Sequence, residues 1–509
     1  MLLEAAARGP EAIALSHEGR HVSYAELADE AARVAGFLRA AGVRRGDRVA
    51  LLLDNSREYV ATFFGILQAG ACCVALNHAN KAATHQVLLK DSGAVALWTR
   101  DRLVPDPVGI VAGCAELRVA VVDGPGPAPA AAGPTAFVRA ADALTSTGPA
   151  GAGDADESDL ALILYTSGST GAPRGVVLGH DNLAANTEQI LAYLDLRADD
   201  SVCCVLPFHY SFGNSLLLTH VRRGGRVVID NRFAFPQQVL ATLDDERCTG
   251  FSGVPSHYAI LCTRTDFLSR PHQHLRYVTQ AGGAMPVDLT RRLRESLPAR
   301  IAMHVMYGQT EASARLATVP PERLCEKYGS IGRAIPGVTL TVRREDGSEC
   351  GIGEQGEIVA NGPNLMRGYW NAPAETATVL CPDGLHTGDL AFRDEDGFIF
   401  IVDRLRNMIK CGANRVSSIE IEEILLGNPA VAEACVVGVP DPIIGEAIEA
   451  WVVLNEAGIA NERDLLRHCA SALPAYKVPR RVRFTAALPR SAAGKVLKAA
   501  LRDAAALPE

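Results

Sequence analysis

Short apolar runs alternate with amphipathic stretches along much of this chain. Residues 22–42 place apolar side chains at helical spacing and close on Gly42, which suits a helix C-terminus. The run 48–55 predicts a buried strand, 59–68 a helix, and 73–76 the next strand. Strand, helix and strand at this spacing predict a parallel sheet in an α/β protein. Residues 203–207 form another short apolar strand. Between 123 and 157 the chain is rich in Gly, Pro and Ala with few large apolar residues, which predicts a flexible surface connection. The texture changes after Arg404. A helix is expected over 416–426 with Ser417 or Ser418 as its cap, then strands at 434–439 and 450–454. A second helix over Glu462–Ala472 and a strand at 481–484 complete a small α+β unit of about one hundred residues. The division is placed between a core of 1–403 and a second unit of 404–509.

The stretch from Leu162 to His180 organises the rest. An apolar strand end leads into Thr166, Ser167, Gly168, Ser169, Thr170 and Gly171, followed by Pro173, Arg174 and a second β-branched run. Hydroxyl side chains, backbone N–H groups that glycine leaves accessible, and one cation are what a polyphosphate needs. A Ser/Gly-rich hairpin turn is the plainer alternative. No Gly-Lys-Ser/Thr closes the loop, which argues against Walker-type kinases and NTPases.

Length and charge narrow the class. At 509 residues, about two to four domains are expected. A net charge of -8 argues against a nucleic-acid partner, which requires a basic face. The 13 cysteines are scattered without metal-ligand spacing, so reduced thiols in the cytoplasm are expected. The first residues do not read as a signal peptide, and no apolar run reaches the roughly eighteen residues a membrane span requires.

Candidate chemistry recurs at strand ends. The segment 207–213 carries His209, Tyr210 and Ser211 just past a strand, where α/β proteins bind ligands. Ser252 and Val254, and Gly282, Gly283 and Ala284, follow two more strands with small residues against which a planar group fits; a simple turn would also use them. In Tyr307-Gly308-Gln309-Thr310-Glu311, the Glu311 carboxylate beside a hydroxyl suits magnesium near phosphate, although an exposed turn reads alike. Asp389 would accept hydrogen bonds from a ribose diol, to which Arg404 would also donate. Lys495 is presented on a Ser/Gly/Ala loop near the C-terminus; most lysines are simply solvated.

The order of these motifs resembles the adenylate-forming superfamily, which includes acyl- and aryl-CoA synthetases, the adenylation domains of peptide synthetases, and luciferases. The resemblance covers nearly the whole chain. It is carried by YTSGSTGAPRG (165–175), YGQTE (307–311), HTGDL (386–390), DRLRNMIKCGANRVSSIEIEE (403–423), GVPDPIIGE (438–446) and PRSAAGK (489–495). Arg174 stands where lysine is usual, and Ser418-Ile419 where a proline more often precedes the Glu pair. The resemblance implies a large N-terminal domain with stacked α/β sheets and a barrel-like part, and a small mobile α+β C-terminal domain hinged near Arg406. It further implies that 166–170 and Arg174 hold the β/γ-phosphates of ATP, Thr310 the α-phosphate, and Glu311 Mg2+. Gly282 to Ala284 and Tyr307 would flank adenine, and Asp389 and Arg404 would hold the ribose. Lys495 would reach the substrate carboxylate and α-phosphate together, and Cys411, Gly412 and Ala413 would admit a pantetheine arm.

The implied reaction is ATP-dependent activation of an acid as an adenylate, then transfer to a thiol, with coenzyme A or phosphopantetheine as acceptor. His209 or Tyr210 would occupy the aromatic gate, and Gln309 and Arg315 would lie by the pocket, where a surface arginine is equally expected. A small or aromatic carboxylic acid is the first expectation and a medium-chain fatty acid the second. Loading of a carrier protein, activation of nitrite for diazotisation of an arylamine, and a catalytically silent binding module are the alternatives. The protein is expected as a monomer or homodimer.

Overall fold

The computed structural model describes residues 1–146, 148, 150, 156–167, 173–411, 414–442, 444–455, 459–490 and 496–506, apart from the side chains of 146, 167, 406, 415 and 506. The strand Cys72–Ala75 is buried at every position, as expected of a parallel strand covered on both faces. It sits near the middle of an eight-stranded sheet that runs from Gly368–Tyr369 at one edge to Ala136–Arg139 at the other. A nine-stranded sheet runs from Arg333–Ala334 to Arg20–Ser23, with parallel strands Ala302–Tyr307, Tyr277–Gln280, Gly250–Gly253, Ser201–Cys204 and Arg226–Ile229 side by side. A third, antiparallel sheet of five strands contains Gly356–Asn361, Gly384–Arg393 and Ile399–Arg404. One hydrophobic core joins the three: Val202 of the nine-stranded sheet, Leu162 of the eight-stranded sheet and Ile358 of the third belong to it.

The remaining five-stranded sheet comprises residues beyond 408, with Gly445–Leu454 between Val431–Asp441 and the short strand Ile409–Cys411. Its two buried clusters contain only residues from Ile409 onward, so this small domain has a core of its own. Asp403 ties the two parts together. Fully buried, it accepts hydrogen bonds from Ser418 N (2.6 Å) and Ser418 Oγ (2.7 Å) at the start of helix Ser418–Leu426.

The local forecasts differ from the structure mainly at boundaries. The first long helix is Tyr24–Ala40, because the Ser23 hydroxyl and Glu26 close a capping box that starts it after a short strand. Ser417, not Ser418, caps the helix at 418, its side chain accepting from Glu420 N. The described first part of the connection 123–157 carries regular structure that its composition does not suggest: Ala136–Arg139 joins the sheet edge beside Val119–Asp123, and helix Ala140–Ser146 follows. Pairing with an existing sheet edge supplied what local apolar content did not. Among the described residues, no helix is long and apolar enough to cross a membrane.

Candidate active site

Three chain segments meet around Asp389. The strand Gly384–Arg393 pairs antiparallel with Ile399–Arg404, and that register sets Asp389 directly opposite Arg404. Asp389 is 2% exposed. Its Oδ1 lies 2.9 Å from Arg404 Nε, and its Oδ2 accepts from the Tyr307 hydroxyl at 2.5 Å. Burial first, and then the Asp389 charge, push the Tyr307 phenol well above its ordinary value, so it is held as a donor. The same charge raises Arg404. The Asp389 carboxyl thus has acceptor lone pairs in excess of these two bonds.

From Tyr307 the chain turns sharply. Gly308 lies so close to the returning backbone that a Cβ there would meet Ala314 O at 2.1 Å, and only glycine permits that approach. The one-turn helix Thr310–Ala312 follows, ended by Ser313 at φ 62°. Tyr369 donates its hydroxyl to Glu311 Oε1 at 2.9 Å, while Met366 N bonds the Glu311 carbonyl. Tyr369 lies on the strand Gly368–Tyr369, which pairs with Pro173–Gly179, and the Arg174 guanidinium stacks 5.5 Å from the Tyr369 ring. Arg174 Nε also lies 2.6 Å from Glu375. Tyr369 therefore links Arg174 to Glu311.

The strands either side of that loop hold Thr166 opposite Arg174. Gly168, Ser169, Thr170 and Gly171 lie outside the described residues, as do Lys495, Gly412 and Ala413; nothing is described of the Ser167 and Arg406 side chains. Cys411 ends its strand half-buried, opposite Asn414.

The aromatic segment packs inward. His209 is 4% exposed, its ring 4.4 Å from Tyr210 and 5.5 Å from His78. Burial, aided by His78, lowers its pKa to about 3, so it is a neutral imidazole, and its Nε2 has no hydrogen-bond partner among the described residues. The Tyr210 hydroxyl accepts from Asn77 Nδ2 at 3.1 Å. Ser211 begins the helix Ser211–Arg223 and sets its Oγ 3.4 Å from Thr310 Oγ1, which brings the aromatic segment to the Tyr307–Glu311 motif.

Other predicted pocket residues divide. Gly282, at φ +85°, lies close to Val254, and the Gly283 carbonyl accepts from Gln280 Nε2 at 2.8 Å; Ala284 follows in the same turn. Gln309 is half-buried at the cap of the short helix. Ser252 is fully buried and receives the Thr279 hydroxyl at 2.7 Å, so it braces neighbouring strands inside the sheet. Arg315 is no surface residue: it is 3% exposed, with its guanidinium 4.1 Å from the Phe212 ring and no carboxylate partner among the described residues. Burial lowers its pKa.

Sequence reasoning did not single out one small polar cavity near these residues. Between helices His180–Tyr193 and Ser211–Arg223 lies a cavity with room for one water-sized group, lined in part by Asn186, Thr187, Asn214, Ser215 and Ser313. Thr187, Ser215 and Ser313 each donate to a backbone carbonyl, which leaves their lone pairs free. Asn214 is 2% exposed and its Nδ2 has no partner among the described residues. The one available signal was that Asn214 and Ser215 directly continue the aromatic segment.

Comparison with known proteins agrees with this geometry. Residues 2–370 match the AMP-binding enzyme family, and residues 420–495 match the AMP-binding enzyme C-terminal domain. A feruloyl-CoA synthase from Amycolatopsis sp is 37% identical over 97% of this chain and 96% of its own. An indoleacetate–CoA ligase from Aromatoleum aromaticum is 32% identical over 97% and 95%. Among solved structures, an anthranilate CoA ligase in complex with anthranoyl-AMP superposes with a TM-score of 0.91 at 27% identity, covering 99% and 96% of the two chains. An O-succinylbenzoate coenzyme A synthetase from Bacillus subtilis, bound to ATP and magnesium, gives 0.86 at 29% identity over 99% of each. The protein belongs to the AMP-binding, adenylate-forming enzyme family and is an acid–thiol ligase of its coenzyme A kind, acting with ATP through an acyl-adenylate.

Proposed function

We propose that this ligase joins a small aromatic acid bearing a distal oxygen to coenzyme A. The observation that carries the choice of acid is the small cavity at Asn214, where one buried amide donor without a partner among the described residues shares the lining with the Thr187, Ser215 and Ser313 hydroxyls. A group that both accepts and donates, such as a phenolic hydroxyl, satisfies such a cavity, whereas a bare hydrocarbon leaves the amide unpaired. Aryl-CoA ligases among the relatives support the aromatic choice.

The roles proposed for this chain's residues are those that the resemblance to the family implies. Asp389 and Arg404 bind the ribose, and Tyr307 with the turn at Gly282, Gly283 and Ala284 flanks the base. The loop from Thr166 through Thr170, with Gly171 and Arg174, holds the outer phosphates. Thr310 contacts the α-phosphate, and the Glu311 carboxylate, fixed by the Tyr369 hydroxyl, would hold Mg2+, which would supply screening of the phosphates' negative charge. A carboxylate oxygen of the acid attacks the α-phosphorus and pyrophosphate leaves. Lys495 offsets the charge as the two anions approach. The thiol sulfur then attacks the acyl carbon, AMP departs with the bonding pair, and the thiol proton passes to solvent. His209, neutral and next to Tyr210, serves as the gate between acid pocket and acceptor channel. The small domain beyond residue 403, hinged near Arg406, alternates between the two half-reactions and brings Cys411, Gly412 and Ala413 to the pantetheine arm. A reducing, cytoplasmic setting is supported by thirteen cysteines that are all free thiols.

Pyrophosphate release from Mg·ATP across a panel of acids, each with and without coenzyme A, tests the reading. The expected result is release and thioester formation with hydroxylated or carbonyl-bearing aryl acids. Asn214→Leu should lower kcat/KM for those acids by about ten- to a hundred-fold and spare their unsubstituted analogues. Release without a thioester would identify a carrier protein or amine as acceptor, and release only with nitrite plus an arylamine would overturn the carboxylate reading. Lys495→Ala should abolish adenylation while sparing thioester formation from a supplied acyl-adenylate.

A further inference from the structure

Leu380–Cys381 folds back on the start of the strand Gly384–Arg393, pairing Cys381 with Gly384 in a tight hairpin. The turn carries Asp383, and the returning strand carries His386. This geometry gathers a thiol, a carboxylate and an imidazole whose ligand atoms all lie within 4.8 Å of one another. His386 Nε2 and Asp383 Oδ1 are 3.2 Å apart. Zinc bonds of about 2.0–2.1 Å to nitrogen and oxygen place two tetrahedral ligands about 3.3 Å apart, so this pair already has the required separation.

The imidazole is held from behind. Glu357 Oε2 accepts from His386 Nδ1 at 2.8 Å, and Glu357 Oε1 is itself fixed by Gly388 N at 2.9 Å. A carboxylate on the far ring nitrogen is the arrangement that fixes the tautomer of a metal-bound histidine and raises its basicity. Asp383 Oδ2 is steadied by Arg343 Nη1 at 3.2 Å, which leaves Oδ1 directed at the imidazole. All three ligands are partly exposed, so an ion can reach them from solvent.

We propose that Cys381, Asp383 and His386 form a binding site for a zinc ion, separate from the magnesium ligand Glu311. Sulfur and imidazole nitrogen select a borderline cation over magnesium. On binding, the Cys381 thiol and the His386 Nε2 each give up a proton to solvent, and water takes the fourth position. Thiolate and carboxylate charges then neutralise the dication. The ion clasps the hairpin that leads into Asp389, and occupancy stiffens one support of the nucleotide site without touching ATP.

The test uses the full-length protein without nucleotide, titrated with Co2+ as the spectroscopic probe and then with Zn2+. A thiolate-to-cobalt charge-transfer band that grows to one equivalent and is erased by Zn2+ is expected. Cys381→Ser should remove the band, His386→Ala should weaken zinc binding at least tenfold, and Glu357→Gln by about tenfold. Cys325→Ser and Cys411→Ser, at the other accessible thiols, should leave the band unchanged. Zn2+ but not Mg2+ should also protect Cys381 of the unaltered chain from alkylation, a readout that requires no variant to fold. Absence of the band, its survival in Cys381→Ser, or equal zinc affinity in His386→Ala would overturn the site.

Discussion

Two acid–cation pairs of this protein, one inside the small domain and one where the two domains join, are built to opposite ends. In the small domain, Lys498 directs its ammonium at Glu422 Oε1 (2.8 Å), Ser418 Oγ (2.6 Å) and the Val436 carbonyl (3.2 Å), which accounts for all three protons. The Glu422 oxygen also accepts from Val436 N at 2.8 Å. At the junction of the two domains, on the last strand of the large domain's third sheet, Arg404 reaches Asp389 through Nε alone, and its side chain is 38% exposed with no other partner among the described residues. Lys498 is saturated by the protein; Arg404 faces outward with donors to give. A buried ion pair is weak evidence for either stability or function, and the unused bonding capacity is what separates a brace from a binding site.

The largest expected effect breaks the brace. Lys498→Met leaves Glu422 largely buried and uncompensated, and urea unfolding should show a loss of about 3 kcal/mol. The double variant Lys498→Met with Glu422→Leu should recover much of that loss. If Lys498→Met instead raised KM for ATP in folded protein, the contrast between the pairs would fail.

Asp389→Asn should do the reverse. Loss of a charge-assisted hydrogen bond, worth about 1.5–3 kcal/mol, should raise KM for ATP by about ten- to a hundred-fold, while the thermal midpoint shifts by less than about 3 °C. Steady-state kinetics beside a melting curve separates the two.

Protons act on the interior next. Burial depresses His209 to about 3 and His220, His257 and His304 to about 4, so all four are neutral when folded and take up protons when unfolded. Their contribution is complete above about pH 6.5 and is lost as pH falls toward 4, by up to about 1.4 kcal/mol per histidine per pH unit. His386 has the opposite sign. Burial opposes its charge, but hydrogen bonds to Glu357 and Asp383 outweigh that and raise its pKa, so its contribution is full in acid and fades as pH rises through that raised value. Urea midpoints across pH should show a steep acid limb, and His386→Ala should flatten only the neutral side.

The smallest effect sharpens the magnesium side. Tyr369→Phe deletes the hydroxyl on Glu311, about 1 kcal/mol, and should raise the Mg2+ requirement by about fivefold.

What the sequence determined was whatever is local or ordered along the chain. Apolar runs marked parallel strands such as Cys72–Ala75, and the motifs from Thr166 to Lys495, in that order, identified the family. The strand register that sets Asp389 against Arg404 was foreshadowed only as shared ribose chemistry. Tertiary structure alone decided the rest. It turned Arg315 from an ambiguous charge into a buried cation on Phe212, and Ser252 from a pocket candidate into a brace. It also brought Tyr369 to Glu311 across 58 residues of chain, and Glu357 to His386 across 29. Periodicity reports which face of an element is buried, but not which distant group fills the remaining bonds; that is fixed by how sheets stack and strands align, because a polar side chain in a packed interior must find its partner wherever folding puts one.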